Sequence, residues 1–470
     1  FLELRYGPGA GAVLRGVKAL FVGVIFNVYA LGAWPLLGLS KVMGTITDWS
    51  KVYTVLFCSG LALVYTASAG LWGVVVNDFI HFAMAMTGAI LLAGFAIDAV
   101  GGFPGFWEKI HTLPEAAFFP RHTPEALWSS PLLFFFSLVL IQWWARGIEG
   151  DGVAVQKLSA CKNEKESFYA MLWFNVAHYA LRPWPWIIVA LVSIPLLPEV
   201  MDASGAIDHE MAYPRMIVRL LPTGFMGLMI ASFFAAYMST VDSLLNWGSS
   251  YVINDVYRRF IRSEAPAAHY VWAGRIATIL LMACGAVVAL TTRSIVEAFY
   301  NILLLFSGVG LVGVARWFWW RVNPWSEIAA MLASGAFTLL APMIARQFGW
   351  PDVMPVHLVI IVVGSNLLWV AVTLLTPPTA SEHLKIFYER VRPAGPGWKD
   401  YRPQTTENRS PDSLRLNLVG WFFGVLMITG ATLALGCGLL GFWPRAGMAL
   451  TVAVAGLSGV VWTIRKMKWT

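Results

Sequence analysis

The 470-residue chain is 58% hydrophobic and only 13% charged, with mean hydropathy +0.66 and 23 Trp, 29 Phe and 42 Gly. Soluble domains carry about 25% charged residues, so the charges here are too few to coat a soluble core, and the chain is too apolar to stay disordered. The net charge of +7 sits between apolar runs, which makes it a topology signal rather than a nucleic-acid surface.

Phe1 is not an initiator Met, and no basic stretch, apolar core and A-x-A site opens the chain, so no secretory signal is predicted. Residues 1–18 read as a cytoplasmic segment. Twelve apolar runs long enough to span a bilayer follow, at 19–40, 53–69, 76–98, 131–147, 168–196, 222–246, 270–291, 296–320, 326–346, 355–376, 416–440 and 446–464. Ser68-Ala69-Gly70 and Asn77-Asp78 divide 53–98 into two spans. The pattern is that of an all-α polytopic protein of the lipid bilayer.

With both ends placed in the cytoplasm, most basic residues fall in inner loops and tails, among them Arg5, Arg258, Arg259, Arg262, Arg316, Arg390, Arg465 and Lys466. Few fall outside, for example Lys41, Lys51 and Arg293. That asymmetry predicts this orientation and an even number of spans. The inner loop 377–413, rich in Pro and mixed charge, reads as a tether without a periodic core. The outer segment 99–130 reads as a short interfacial helix or a lid, and 205–221 as a cap over a pathway.

Polar residues inside spans cost a few kcal/mol unless they face partners or water, so each is a candidate site. At helical spacing Ser239, Asp242, Ser243 and Asn246 share one face, with Thr240 beside it. Hydroxyls, carboxylate and amide are hard oxygen donors suited to a small cation such as Na⁺. The competing reading has Ser and Thr bonding their own i−4 carbonyls. A second stripe is Asn175, His178 and Arg182, followed by Pro183 and Pro185, where a kink is expected. Asp78 or Asp242 is the expected partner of Arg182, in a fixed ion pair or a substrate contact. Asp78, at the start of its run, serves either the helix N-terminus or a cation path. Gln142, Trp143 and Trp144 end a run that breaks into Gly147–Gly152, as interfacial belt residues or as part of a discontinuous binding helix.

No H-E-x-x-H, G-x-S-x-G or Walker motif is present, and the four cysteines have no metal or disulfide spacing. These features argue against an ATP-driven pump and against an enzyme with a recognisable soluble catalytic module. No obligatory protein partner is evident.

Phe1-Leu2-Glu3-Leu4-Arg5-Tyr6-Gly7 resembles the E-F-L-E-x-R-[YF]-G segment of the sodium:solute symporter family, which includes the sodium/glucose and proline cotransporters. Gly70 to His81 is similar to G-G-x-x-A-V-x-x-T-D-x-x-Q, with Asn77 and His81 where the family has Thr and Gln. Gln156 to Lys162 is similar to Q-R-x-L-A-A-K, and Ala235 to Tyr257 to A-A-x-x-S-[ST]-x-x-S followed by D-[IV]-Y. The resemblance implies a LeuT-type fold of two inverted five-helix repeats working by alternating access. It also implies sodium held by Ser239, Thr240 and the carbonyl of Ala236, with Asp78 on the cation path. It sets Gln142, Trp143 and Trp144 on the unwound sixth core helix, near substrate.

Nothing precedes the first motif here. The expected core at 19–322 therefore lacks the first two core helices, with four additional spans and the 377–413 loop in 323–470. Such a polypeptide is expected to transport poorly by itself. The expected function is a sodium-coupled symporter of a bacterial inner membrane importing a small polar organic solute, with Asn175, His178 and Arg182 as further substrate contacts. The alternatives are a proton-coupled transporter, a transporter-like solute sensor and, third, a polytopic membrane enzyme.

Overall fold

A computed structural model describes residues 1–68, 71–112, 158–197, 208–393, 395–401 and 414–467, with positions 137, 141, 143–145 and 200 between them. Among the described residues ten helices are long and apolar enough to cross a membrane. The chain is an integral membrane protein. Most of the run 131–147, including Gln142, lies outside the described residues, as do the Gly147–Gly152 break and residues 113–130.

In chain order the helices are α1 (Leu2–Tyr6), α2 (Ala10–Thr47), α3 (Lys51–Ser68), α4 (Leu71–Ala99), α5 (Gly102–Thr112), α6 (Glu164–Leu196), α7 (Ala212–Leu220) and α8 (Thr223–Ile261). They continue as α9 (Ala267–Thr291), α10 (Ile295–Phe306), α11 (Gly310–Phe318), α12 (Pro324–Gln347) and α13 (Met354–Leu375). The last three are α14 (Ser381–Val391), α15 (Leu414–Leu439) and α16 (Trp443–Lys466). A single helical turn covers Trp143–Ala145.

Helix α2 is longer than its apolar run because Ala10–Lys18 is itself amphipathic, burying Ala12 and Leu14 while Arg15 and Lys18 lie in its last turn. It carries two π-helical stretches, Ala19–Phe26 and Gly32–Leu36, the second around Pro35, whose missing N–H and ring bulk displace the regular bonding pattern. The start of α12 is fixed locally: Asn323 accepts from the Ser326 N–H at 3.2 Å, and Ser326 Oγ accepts from the Asn323 N–H at 3.1 Å. This reciprocal cap with Pro324 at the first helical position pre-sets the turn. In α6 a π-helical stretch, Val176–Leu181, ends at Arg182-Pro183, where the prolines were expected to disturb the helix.

Two apolar clusters organise the bundle. The first gathers Ala30 and Leu31 of α2, Val55 of α3, Val241 and Leu245 of α8, Met282 and Ala289 of α9, and Ile302 and Phe306 of α10. Close approach is required here: a Cβ on Gly32 would lie 2.3 Å from the Gly285 carbonyl oxygen, so α2 and α9 touch backbone to backbone. The second gathers Leu92 and Ala93 of α4, Ile188 and Val189 of α6, and Met216 and Ile217 of α7. Helices α15 and α16 pair mainly with each other, presenting Leu418, Trp421, Phe422, Met448, Leu450 and Trp462 outward, as lipid-facing helices do.

Two expectations are corrected. Residues 381–401 are not a tether: α14 buries Leu384, Phe387 and Tyr388 against Trp398 and Leu4. Their i, i+3, i+4 spacing is an amphipathic helix signal that Pro-rich flanks obscure. Asn77-Asp78 does not break a helix, because α4 begins at Leu71 and carries Asp78 in its interior.

Candidate functional site

The hydroxyl stripe lies near the middle of α8, whose run of Phe, Met and Ala is helical throughout because nothing in Thr223–Ser250 interrupts the backbone bonds. Ser239 is half-buried and its hydroxyl donates to the Asp78 carboxylate of α4. One turn toward the C-terminus Asp242 is buried, and the Asn246 amide donates to it at 3.0 Å. The Thr240 hydroxyl donates to the Ala236 carbonyl at 2.9 Å. That is the i−4 self-bond the competing reading anticipated. It also sets a hydroxyl and a carbonyl oxygen side by side on an exposed face of α8.

The structure thus brings Asp78, Ser239, Asp242 and Asn246 to one side of α8, with Ala236 and Thr240 beside them. All these donors are oxygens or an amide. Among the described residues no three His, Cys, Asp or Glu side chains converge on one point. A hydroxyl, a carboxylate and a carbonyl suit a hard monovalent cation better than a nitrogen- or sulfur-preferring metal. Asp78 does not cap the N-terminus of its helix, and its described partner is Ser239.

The second stripe lies elsewhere. Asn175 bonds back to the Met171 carbonyl at 2.8 Å, which occupies its amide within α6. His178 Nδ1 meets the Arg182 guanidinium at 3.2 Å, and Arg182 lies 5.6 Å from the Trp186 ring centroid. Neither Asp78 nor Asp242 is a described partner of Arg182. Its guanidinium lies instead over the ring of Trp186, one turn along the same helix. The π-helical part of α6 packs on α15, where the Thr432 hydroxyl donates to the Tyr179 carbonyl at 3.1 Å. Described contacts do not join Asn175, His178 and Arg182 to the α8 stripe.

Trp143 and Trp144 belong to the turn Trp143–Ala145. Ala145 is fully buried among Leu304, Ala341 and Ile361. A Cβ on Gly310 would lie 1.9 Å from the Trp144 carbonyl oxygen, so the start of α11 rests directly on this turn.

Three polar networks escaped the sequence reading. Arg5 is fully buried, donates to the Trp320 and Val322 carbonyls at 3.2 and 3.3 Å, and lies 4.8 Å from both the Tyr6 and Trp398 ring centroids. Beside it the Tyr6 hydroxyl donates to Glu327, and Arg316 donates to both Glu327 oxygens at 3.3 and 3.2 Å. By sequence Arg5 and Arg316 fall in inner loops and tails; only the fold shows that both are buried. Arg15 joins Glu3 and Asp255, and Arg259 also reaches Glu3, holding the Glu3 carboxyl below its usual value despite the opposing effect of burial. At the opposite end Lys41 joins Asp208 and Glu210. A lone Glu327 in an apolar run was the one sequence signal for the first network.

The profile of the Sodium:solute symporter family matches residues 1–333. Sodium/myo-inositol cotransporter 2 of Oryctolagus cuniculus is 27% identical over 319 residues, covering 60% of this chain and 44% of that protein. Sodium/glucose cotransporter 1 of Sus scrofa is 25% identical over 296 residues, covering 56% and 41%. Sodium/glucose cotransporter 4 of Danio rerio is 24% identical over 434 residues, covering 82% and 64%. The chain therefore spans less than half the length of the first two relatives. Among solved structures, the substrate-bound outward-open state of a Na⁺-coupled sialic acid symporter aligns with TM-score 0.60 and 20% identity, over 81% of this chain and 77% of that one. That likeness shows the fold, the LeuT-type arrangement. With the profile match over residues 1–333, the chain belongs to the sodium:solute symporter family.

Proposed function

We propose that this protein imports a small polar organic solute with sodium, by alternating access. The observation that carries this is the meeting of Asp78, from α4, with Ser239 of the α8 hydroxyl stripe. It sets an anionic and a neutral oxygen donor beside the Ala236 carbonyl and the Thr240 hydroxyl. Sodium passes through as cargo: Ser239, Thr240 and the Ala236 carbonyl take it up, and Asp78 supplies the negative charge on its path.

One cation moving down ~100 mV releases about 2.3 kcal/mol. At ~1.4 kcal/mol per tenfold this sustains nearly fiftyfold solute accumulation. Coupling follows if ion and solute together favour the state closed to the side of entry. The orientation read from the charges puts both ends of this chain in the cytoplasm, and a bacterial inner membrane fits that reading. Gln142, Trp143, Trp144, Asn175, His178 and Arg182 remain the proposed solute contacts.

The relatives transport myo-inositol and glucose by name, which makes these the first probes. Uptake of labelled myo-inositol and glucose by the full-length protein in proteoliposomes is expected to need an inward sodium gradient. A buried Asp242 beside Asn246 supports a second reading, coupling to protons. Uptake that follows a pH gradient and ignores sodium would select it, and binding without flux would select a solute sensor.

A further inference from the structure

The end of the bundle that the charge pattern places outside carries a polar junction of unusual density. Glu210 Oε1 accepts from Ser294 Oγ at 2.7 Å and from the Val296 N–H at 2.9 Å. Its Oε2 accepts from the Ile295 N–H at 3.0 Å and from Lys41 Nζ at 2.7 Å. Lys41 also donates to Asp208 Oδ2 at 2.6 Å, and Asp208 Oδ1 accepts from the Glu210 N–H at 3.0 Å. One carboxylate thus satisfies the first amides of α10, donors that a helix cannot satisfy itself, while neutralising a lysine from α2.

The elements it ties together belong to different cores. Glu210 lies in the short turn leading into α7, whose Met216 and Ile217 are fully buried in the cluster of α4 and α6. Helix α10 contributes Ile302 and Phe306 to the cluster of α2, α8 and α9. Partly buried Phe233 touches both clusters. Apolar interfaces are close-packed and separate at high cost, whereas a hydrogen-bonded rim can exchange its partners for water with a small net change. A joint that must open and close repeatedly is best built in the second way.

We propose that Glu210 is a positioning residue for transport: a clasp that holds the α7 cap over the start of α10 when this face is closed, and lets go when it opens. The inference rests on the alternating-access reading above. In this role Glu210 sets how often the entry face is shut.

The test is hydrogen–deuterium exchange by mass spectrometry on the full-length protein in nanodiscs, in sodium and in choline, for wild type and Glu210→Gln. Exchange at Ile295 and Val296 is expected to differ about tenfold between the two media in wild type, and the difference to vanish in Glu210→Gln, both measured at a temperature where each protein is folded. A static joint gives the same protection in both media and across a pH step, and that result overturns the clasp. If sodium alters exchange across Ala236–Thr240 but not at Ile295 and Val296, the clasp fails and the sodium reading stands. If Ile295 and Val296 respond to a pH step and not to sodium, the clasp stands and the sodium reading fails. As a second variant, Glu210→Cys with Ser294→Cys, in a background with Cys58, Cys161, Cys284 and Cys437 replaced, is bridged by a short bifunctional thiol reagent. Bridging is expected to reduce sodium-driven myo-inositol or glucose uptake about tenfold or more, and unimpaired uptake after bridging overturns the proposal.

Discussion

The hydroxyl of Ser239 donates to the carboxylate of Asp78, a residue 161 positions earlier in the chain and on another helix. Two polar residues that each look costly in an apolar run thereby satisfy one another. They also fix the register of α8 against α4, helped by Ser232, whose hydroxyl donates to the Met84 carbonyl at 3.0 Å. The joint leaves the residues Thr240 and Ala236 exposed beside it.

Removing either hydroxyl should weaken sodium. Ser239→Ala and Thr240→Ala, each in the full-length protein, are expected to raise the sodium concentration for half-maximal uptake about tenfold, the loss of roughly one oxygen contact. Uptake with an unchanged sodium curve in both variants removes the assignment.

Asp78 and Ser239 should not act independently. In a double-mutant cycle of Asp78→Asn and Ser239→Ala on sodium affinity, the combined loss is expected to fall short of the sum by about 0.5–3 kcal/mol. Simple additivity would show that the two groups serve different steps.

The Arg5 network should matter for stability rather than for ion affinity. Glu327→Gln removes the buried carboxylate that pairs with Arg316 and is expected to cost about 3–5 kcal/mol. Tyr6→Phe removes a single hydroxyl and is expected to cost about 1 kcal/mol. Thermal melting of the detergent-solubilised protein separates the two, and equal melting temperatures would count against the network.

The Glu210 junction has a defined pH window. Burial opposes its charge, but the bonds from Ile295, Lys41, Val296 and Ser294 outweigh that and hold the carboxyl below its ordinary 4.5. A carboxyl depressed on folding contributes stability that is complete above the ordinary value and lost as pH falls through the lower, folded one. Protection of Ile295 and Val296, followed in a single medium, is therefore expected to be flat between about pH 6 and 8 and to fade only below 4.5. A midpoint near neutrality would contradict this origin for the protection.

Gly310 offers a test of the turn that carries Trp144. Its added Cβ would meet backbone oxygen rather than a movable side chain. Gly310→Ala is expected to destabilise by about 1–3 kcal/mol, read as a lower melting temperature and lower folded yield. Wild-type behaviour would mean that the turn does not sit against α11.

The sequence by itself determined the class of the protein and most of its spans, because about twenty apolar residues with few charges have no stable place but a bilayer. It also singled out Ser239, Thr240 and Asp78, since polar residues in such runs stand out one at a time. Which polar groups meet was beyond it: pairing depends on how helices distant in the chain are rotated and set against each other. Arg182 was expected to find a carboxylate and instead lies beside His178 and Trp186. Arg5 and Arg316 looked like loop charges, yet are buried where α1, α11, α12 and α14 converge. Glu210 sits in the segment read as a cap over a pathway and Lys41 in an outer loop, but only the packing of two separate cores brings them within hydrogen-bonding distance of each other and of Ser294. Hydrophobic length is a local property that a chain spells out residue by residue, whereas a polar contact between helices is decided by the tertiary arrangement.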